Sequence, residues 1–335
     1  MPSQLLELSE GQRRQLLDSE AVFDALWSAE ADAWRHRGSM FWREQAGRTY
    51  LIKLSPDSKQ KSLGPQSDVT RTTFEQFMKR KGEVEARVKD LRAQVDVMRR
   101  LNRALRVGRT PDLLVDVLNV LAKARVGQHF LVVGTNALYA YETAAGVRFP
   151  TDVMETRDAD FLFDTRQRAE FLEVMERSGL SFMDLLRKAD KTFQRHDVDH
   201  YTAVNSKGYE VDLIRRYPPP ELQDQEHPLR MTAHEEDLRA VRASTGERLL
   251  SVPKFSQVVV GTSGAMARMT TVHPMAFARI KRQLSQDPAR DPRKAGKDAM
   301  QADQVEELVR QYLPHLASEP EQGREDHKPG RERER

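Results

Sequence analysis

Apolar residues near the N-terminus recur at helical spacing. Leu16, Leu17, Val22, Phe23, Leu26 and Trp27 predict a helix over residues 11–37, stopped by Gly38. Two β-rich runs, Met40–Gln45 and Thr49–Leu54, flank Ala46-Gly47-Arg48 and predict a hairpin. Lys59–Pro65 is polar and ends in Gly64-Pro65, the pattern of a loop. One long helical pattern then runs from Asp68 to Val107. Its positions 74, 77, 81, 84, 88, 91, 95, 98, 102 and 105 read Phe, Phe, Lys, Val, Val, Leu, Val, Met, Asn and Leu, a narrow coiled-coil-like seam. After Gly108 and Pro111, Leu113–Ala124 is amphipathic. Short apolar strands then alternate with helices as far as Pro218-Pro219-Pro220, which reads as a boundary. Residues 221–250 are polar and mostly helical in pattern. Phe255–Val260 and Ala267–Val272 flank Gly261-Thr262-Ser263-Gly264 as a hairpin, and Pro274–Leu313 is helical again.

The fold class expected from this pattern is α+β. A small mixed sheet with its helices occupies 109–220, and a hairpin and helical cap occupy 221–316. The N-terminal module divides into a helix and hairpin (1–67) and a long helix (68–108). Residues 317–335 are charge-rich with almost no apolar residues, a composition expected to stay disordered.

Charge and composition narrow the possible functions. The 335 residues hold 54 Lys and Arg against 51 Asp and Glu, a net +3, so the chain is not polybasic as a whole. Locally it is. From Lys79 to Arg109 there are eleven basic residues and four acidic ones. That stretch reads as a solvated helix face, or as an arm that tracks a phosphate backbone. Cysteine is absent, which excludes disulfides, thiolate catalysis and Cys-ligated metals. No apolar run approaches the roughly 20 residues of a membrane span, and Met1–Glu7 has no signal-peptide pattern. A soluble, cytoplasmic protein is expected.

The candidate chemistry begins at His129-Phe130-Leu131-Val132-Val133, a short strand. Gly134-Thr135-Asn136 turns directly into a helical pattern at Ala137. Such a turn presents free backbone N–H groups to an anion, phosphate above all, and Gly134 allows close approach. Further on, Asp158-Ala159-Asp160 opens a strand. Alternation puts both carboxylates on one face and Ala159, Phe161 and Phe163 on the other. Two such charges repel unless a cation lies between them, and hard oxygen ligands select Mg²⁺ or Mn²⁺. Asp212 sits within the apolar strand Glu210–Ile214, where it needs a partner. Three carboxylates facing a phosphate turn are the parts of two-metal phosphoryl or nucleotidyl transfer.

Other features are read as structural. Asp164 caps a turn, and Arg157 neutralises carboxylates or touches substrate. Val260–Gly264 is a hairpin turn rather than a second phosphate loop. His196-Asp197-Val198-Asp199-His200 runs into a strand pattern, which does not hold a helical histidine pair. Trp27, Trp34 and Trp42 are expected to pack rather than stack on bases.

Val133-Gly134-Thr135, then Asp158-x-Asp160, then an isolated strand Asp212 resembles the polymerase-β-type nucleotidyltransferase superfamily. The wider pattern is similar to a bacterial branch of nucleotidyltransferase-fold proteins. It includes Leu63-Gly64-Pro65, His273-Pro274-x-x-Phe277 with Lys281, Arg290, Lys297-Asp298 and Gln301-Ala302. The resemblance covers most of residues 40–313. Thr135 departs from the Ser or Gly common in the superfamily, although related abortive-infection toxin transferases carry Gly-Thr. The resemblance implies metal ligation by Asp158, Asp160 and Asp212, and nucleotide phosphate binding at Gly134 and Thr135. It also implies a cation facing the triphosphate at Lys281. The activity implied is transfer of a nucleoside monophosphate from an NTP to an acceptor hydroxyl, with pyrophosphate released and two ions bound. The acceptor is left open between tRNA, a protein and a small molecule. The alternative is a non-catalytic nucleic-acid or protein-binding module that uses the basic helix 79–109.

Overall fold

The computed structural model describes residues 5–56, 59–218 and 228–318. It divides into two compact units, Glu10–Val107 and a larger one made from Gly108 onward with the first nine residues. In chain order, β1 (Leu6–Glu7) belongs to the larger unit. The smaller unit then runs α1 (Glu10–Arg35), β2 (Ser39–Gln45), β3 (Arg48–Leu54), β4 (Gln60–Pro65) and α2 (Asp68–Ala104).

Within the smaller unit α1 and α2 pack antiparallel. Gln12 donates to the Leu105 carbonyl at 2.9 Å, Arg92 to Glu30 at 2.7 Å, and Lys81 to the Gly38 carbonyl at 2.8 Å. The apolar seam of α2 is therefore closed within the chain. Its one buried Asn, Asn102, accepts from Gln15 (3.1 Å) and Ser19 (2.8 Å). A satisfied polar layer of this kind fixes the register of two helices. Ser67 and Thr70 form a capping box at the start of α2.

Two expectations are corrected here. Lys59–Pro65 is not a loop, because Gln60–Pro65 pairs with β3 as an antiparallel edge strand. Its side chains are mostly exposed and so carry no period-2 apolar signal. Gly64, at φ +117°, accompanies a bulge opposite Leu51 and Ile52. Trp27 and Trp34 are 42% and 39% exposed rather than packed away; Trp27 stacks on Phe23, the Arg37 guanidinium lies over the Trp34 ring, and Trp42 packs, tilted, on Phe74.

The larger unit continues with α3 (Asp112–Lys123), β5 (Phe130–Val133), α4 (Leu138–Ala145), β6 (Val147–Arg148), α5 (Thr151–Met154) and β7 (Asp158–Phe163). Next come α6 (Arg168–Ser178), α7 (Phe182–Ala189), β8 (Gln194–Arg195), β9 (Thr202–Val204), β10 (Glu210–Arg215), β11 (Leu229–Arg230) and β12 (Arg239–Arg242). The chain ends with α8 (Gly246–Ser251), β13 (Lys254–Val260), β14 (Met266–Val272), α9 (Pro274–Ser285) and α10 (Pro292–Tyr312). The main sheet has the order β11-β12-β10-β7-β5 and is mixed. β7 and β10 are parallel, β5 is antiparallel to β7, and β9 covers the first half of β10. Below one face of the sheet lies an aromatic core in which Phe130 contacts Phe161, Phe163, Phe171 and Phe182.

Residues 228–250 are not mostly helical. β11 and β12 extend the sheet, and only α8 is helix. These strands are short and Arg-rich, so pairing with β10 decides their form and local periodicity does not reveal it. The sheet thus includes strands from both sides of the boundary expected at Pro220, and the helices and hairpin divided at 67/68 form one unit. Pro219, Pro220, residues 221–227 and the tail from 319 lie outside the described residues.

Candidate active site

Strand alternation and strand register together build the site. Asp158 and Asp160 point to one face of β7. Asp212 is the direct partner of Asp160 in the parallel ladder, so its side chain leaves the sheet on that same face. Carboxylate oxygens of the three lie within 4.8 Å of one another. No other such acidic or histidine group occurs among the described residues.

The turn after β5 closes on this cluster. Val133 pairs with Asp160 across the antiparallel ladder, and Gly134 follows at φ +65°. A Cβ on Gly134 would stand 2.3 Å from Asp160 Oδ2, so a side chain there would displace that carboxylate and strain the backbone. Gly134–Ala137 is a 3-10 turn that leads into α4. The Thr135 hydroxyl accepts from Gln301 of α10 at 3.1 Å, and Gln301 also donates to the Val153 carbonyl at 2.9 Å. The threonine is thereby oriented, and its own proton remains available to a ligand.

Burial and like charge set the electrostatics. Asp160 is pushed up to about 7, first by desolvation, then by Asp158 and Asp212, with Lys281 and Lys294 opposing. Burial also raises Asp212, while the Thr202 hydroxyl, donating to its Oδ1 at 2.6 Å, pulls it back down. Asp158 accepts from Thr156, and Asn136 donates to its carbonyl at 2.6 Å. Converging hard oxygen donors, with Asp158 adding to the upward push on Asp160 and Asp212, suit a divalent cation.

Lys281 of α9 is committed elsewhere. It donates to Asp298 Oδ1 at 2.6 Å, while Arg290 donates to Oδ2 at 3.0 Å. Asp298 is buried, and Lys281 is nearly so; burial lowers the Lys281 pKa, against the pull of Asp298. Asp160 still lies within electrostatic reach of Lys281. Lys297 donates to the Glu155 carbonyl. Lys297 and Gln301, two of the C-terminal residues that carried the sequence resemblance, thus brace the segment that leads into β7 and the turn after β5.

Thr202 did not stand out in the sequence, and Asn136 and Gln301 did so only as positions of the pattern, with no role attached. Asn136 follows the Gly-Thr turn directly and offered a local signal. Thr202 and Gln301 reach the site only through strand register and helix packing.

Three of the features read as structural are held by contacts within the fold. His196 accepts from the Asp199 backbone N–H at 3.0 Å in the turn between β8 and β9. Thr262 and Ser263 both donate to Asp112 at the tip of the β13–β14 hairpin. Asp164 accepts from the Arg166 backbone at 3.1 Å.

No helix among the described residues is long and apolar enough to cross a membrane. No curated protein and no solved structure matches the chain. A family model described as nucleotidyltransferase matches residues 112–322, which include the whole of this site. The chain therefore belongs to the nucleotidyltransferases, enzymes that act on nucleoside triphosphates.

Proposed function

We propose that this enzyme transfers a nucleoside monophosphate from an NTP to an acceptor hydroxyl and releases pyrophosphate. The observation that carries the reading is the in-register convergence of Asp158, Asp160 and Asp212 beside Gly134. Asp158, Asp160 and Asp212 are the ligands for two divalent ions, Mg²⁺ or Mn²⁺. Ions held there supply charge neutralisation of the triphosphate and acidification of the acceptor hydroxyl.

The residues of the chain supply the rest. Gly134 and Thr135 receive the phosphates through backbone N–H groups and the Thr135 hydroxyl. Lys281, anchored by Asp298, adds positive potential beside Asp160. Asp212, with Oδ1 fixed by Thr202, aligns the acceptor hydroxyl or takes its proton. The acceptor oxygen bonds to the α-phosphorus, the bond from that phosphorus to the bridging oxygen breaks, and pyrophosphate leaves.

The test is incubation with α-labelled NTPs, Mg²⁺ and separate RNA, protein and small-molecule acceptors. Label transferred to one acceptor class, and lost in the Asp158→Ala/Asp160→Ala variant, is the expected result. NTP binding that the double variant leaves unchanged overturns the assignment of these carboxylates.

A further inference from the structure

Helix α2 sorts its charges around its axis. At about 100° per residue, Lys89, Arg92, Arg99, Arg100 and Arg103 fall within one arc on one side of the seam. Val97 and Leu101 lie on the other side. Only Asp96 interrupts the basic arc. All five cations are exposed. Arg92 reaches Glu30, while Lys89, Arg99, Arg100 and Arg103 form no ion pair among the described residues. The Asn102 layer beneath locks α2 against α1, so the arc is carried on a rigid element.

The arc extends about 21 Å along the axis at about 1.5 Å per residue. A nucleic-acid duplex presents one phosphate charge per about 1.7 Å of its own axis, so the arc can meet several phosphates at once. It contains no aromatic side chain, which leaves no platform on which unpaired bases could stack. We propose that this basic flank of α2 is a docking surface for the sugar-phosphate backbone of double-helical nucleic acid. Binding there needs none of the three carboxylates.

The test is fluorescence anisotropy of the full chain with a labelled RNA duplex and a DNA duplex of the same sequence, in EDTA. With about four phosphates neutralised, affinity is expected to fall about a hundredfold between 50 and 200 mM salt. Arg99→Glu/Arg100→Glu/Arg103→Glu is expected to weaken binding by more than tenfold and flatten the salt dependence. Its melting temperature should be unchanged, because those side chains are exposed. Lys79→Glu/Arg80→Glu/Arg87→Glu, an equal charge reversal outside the arc, should retain most of the affinity. The two duplexes tell an RNA partner from a DNA one. Absence of duplex binding, equal loss in the two triple variants, or displacement by polyglutamate as effective as by unlabelled duplex overturns the proposal. The last result points to an acidic protein partner instead.

Discussion

Replacing Asp160 by Asn removes a charge that folding makes unfavourable. The carboxyl titrates near its ordinary 3.8 in an unfolded chain and at about 7 in the folded one, chiefly because it is buried beside two other carboxylates. At about 1.4 kcal/mol per pH unit the difference is worth about 4 kcal/mol. The folded form holds the proton more tightly. The penalty is therefore absent below pH 3.8, grows as pH rises through the interval, and is complete above 7. At pH 5 the wild type bears about a third of it, and at pH 8 nearly all; Asp160→Asn bears none at either. Urea unfolding in EDTA should show the variant gaining on the wild type by about 2.5 kcal/mol between pH 5 and pH 8. Adding Mg²⁺ at pH 8 should then narrow the gap, because the ion stabilises only the chain that binds it. A difference that stays flat with pH, or a variant that loses ground as pH rises, refutes the view that these carboxylates repel across a cation site.

Gly134→Ala must place a Cβ 2.3 Å from Asp160 Oδ2 at φ +65°, so it should lose about 1–3 kcal/mol and its Mg²⁺-induced rise in melting temperature. Gly47→Ala, at φ +71° with open space around it, is the control; it should lose about 1 kcal/mol and leave the Mg²⁺ response intact. Thr202→Val removes the donor that holds the Asp212 pKa down, so Mg²⁺ affinity by titration calorimetry should drop severalfold at the acidic end of a pH series and recover as pH rises. Lys281→Met leaves buried Asp298 with Arg290 alone and should destabilise by about 3 kcal/mol in denaturant titration. Lys281→Met/Asp298→Leu should recover much of that loss. A double variant no more stable than the single one contradicts the ion-pair account.

Much of this site was legible because its signals are local. Two aspartates two residues apart share a face of any strand, and a glycine between a strand and a helix marks a tight turn. The α1 and α2 helices were visible for the same reason, since their apolar stripes repeat within each segment. The edge strand at 60–65 and the strands after 228 were not visible. Exposed or Arg-rich strands carry no apolar alternation, and their form comes from the neighbour they pair with. The contacts of Thr202 and Gln301 were hidden in the same way, since one reaches Asp212 across a ladder and the other reaches Thr135 from α10.

The amino-acid order alone determined which residues carry charge, which strongly periodic segments coil or extend, and that Asp158 and Asp160 are neighbours. Tertiary structure decided that Asp212 stands opposite Asp160 rather than one residue out of step, a slip that would have turned its carboxyl into the aromatic core. It decided too that Lys281 answers first to Asp298. Register and helix packing are set by contacts between distant segments, which only the folded chain brings within a few ångström of one another.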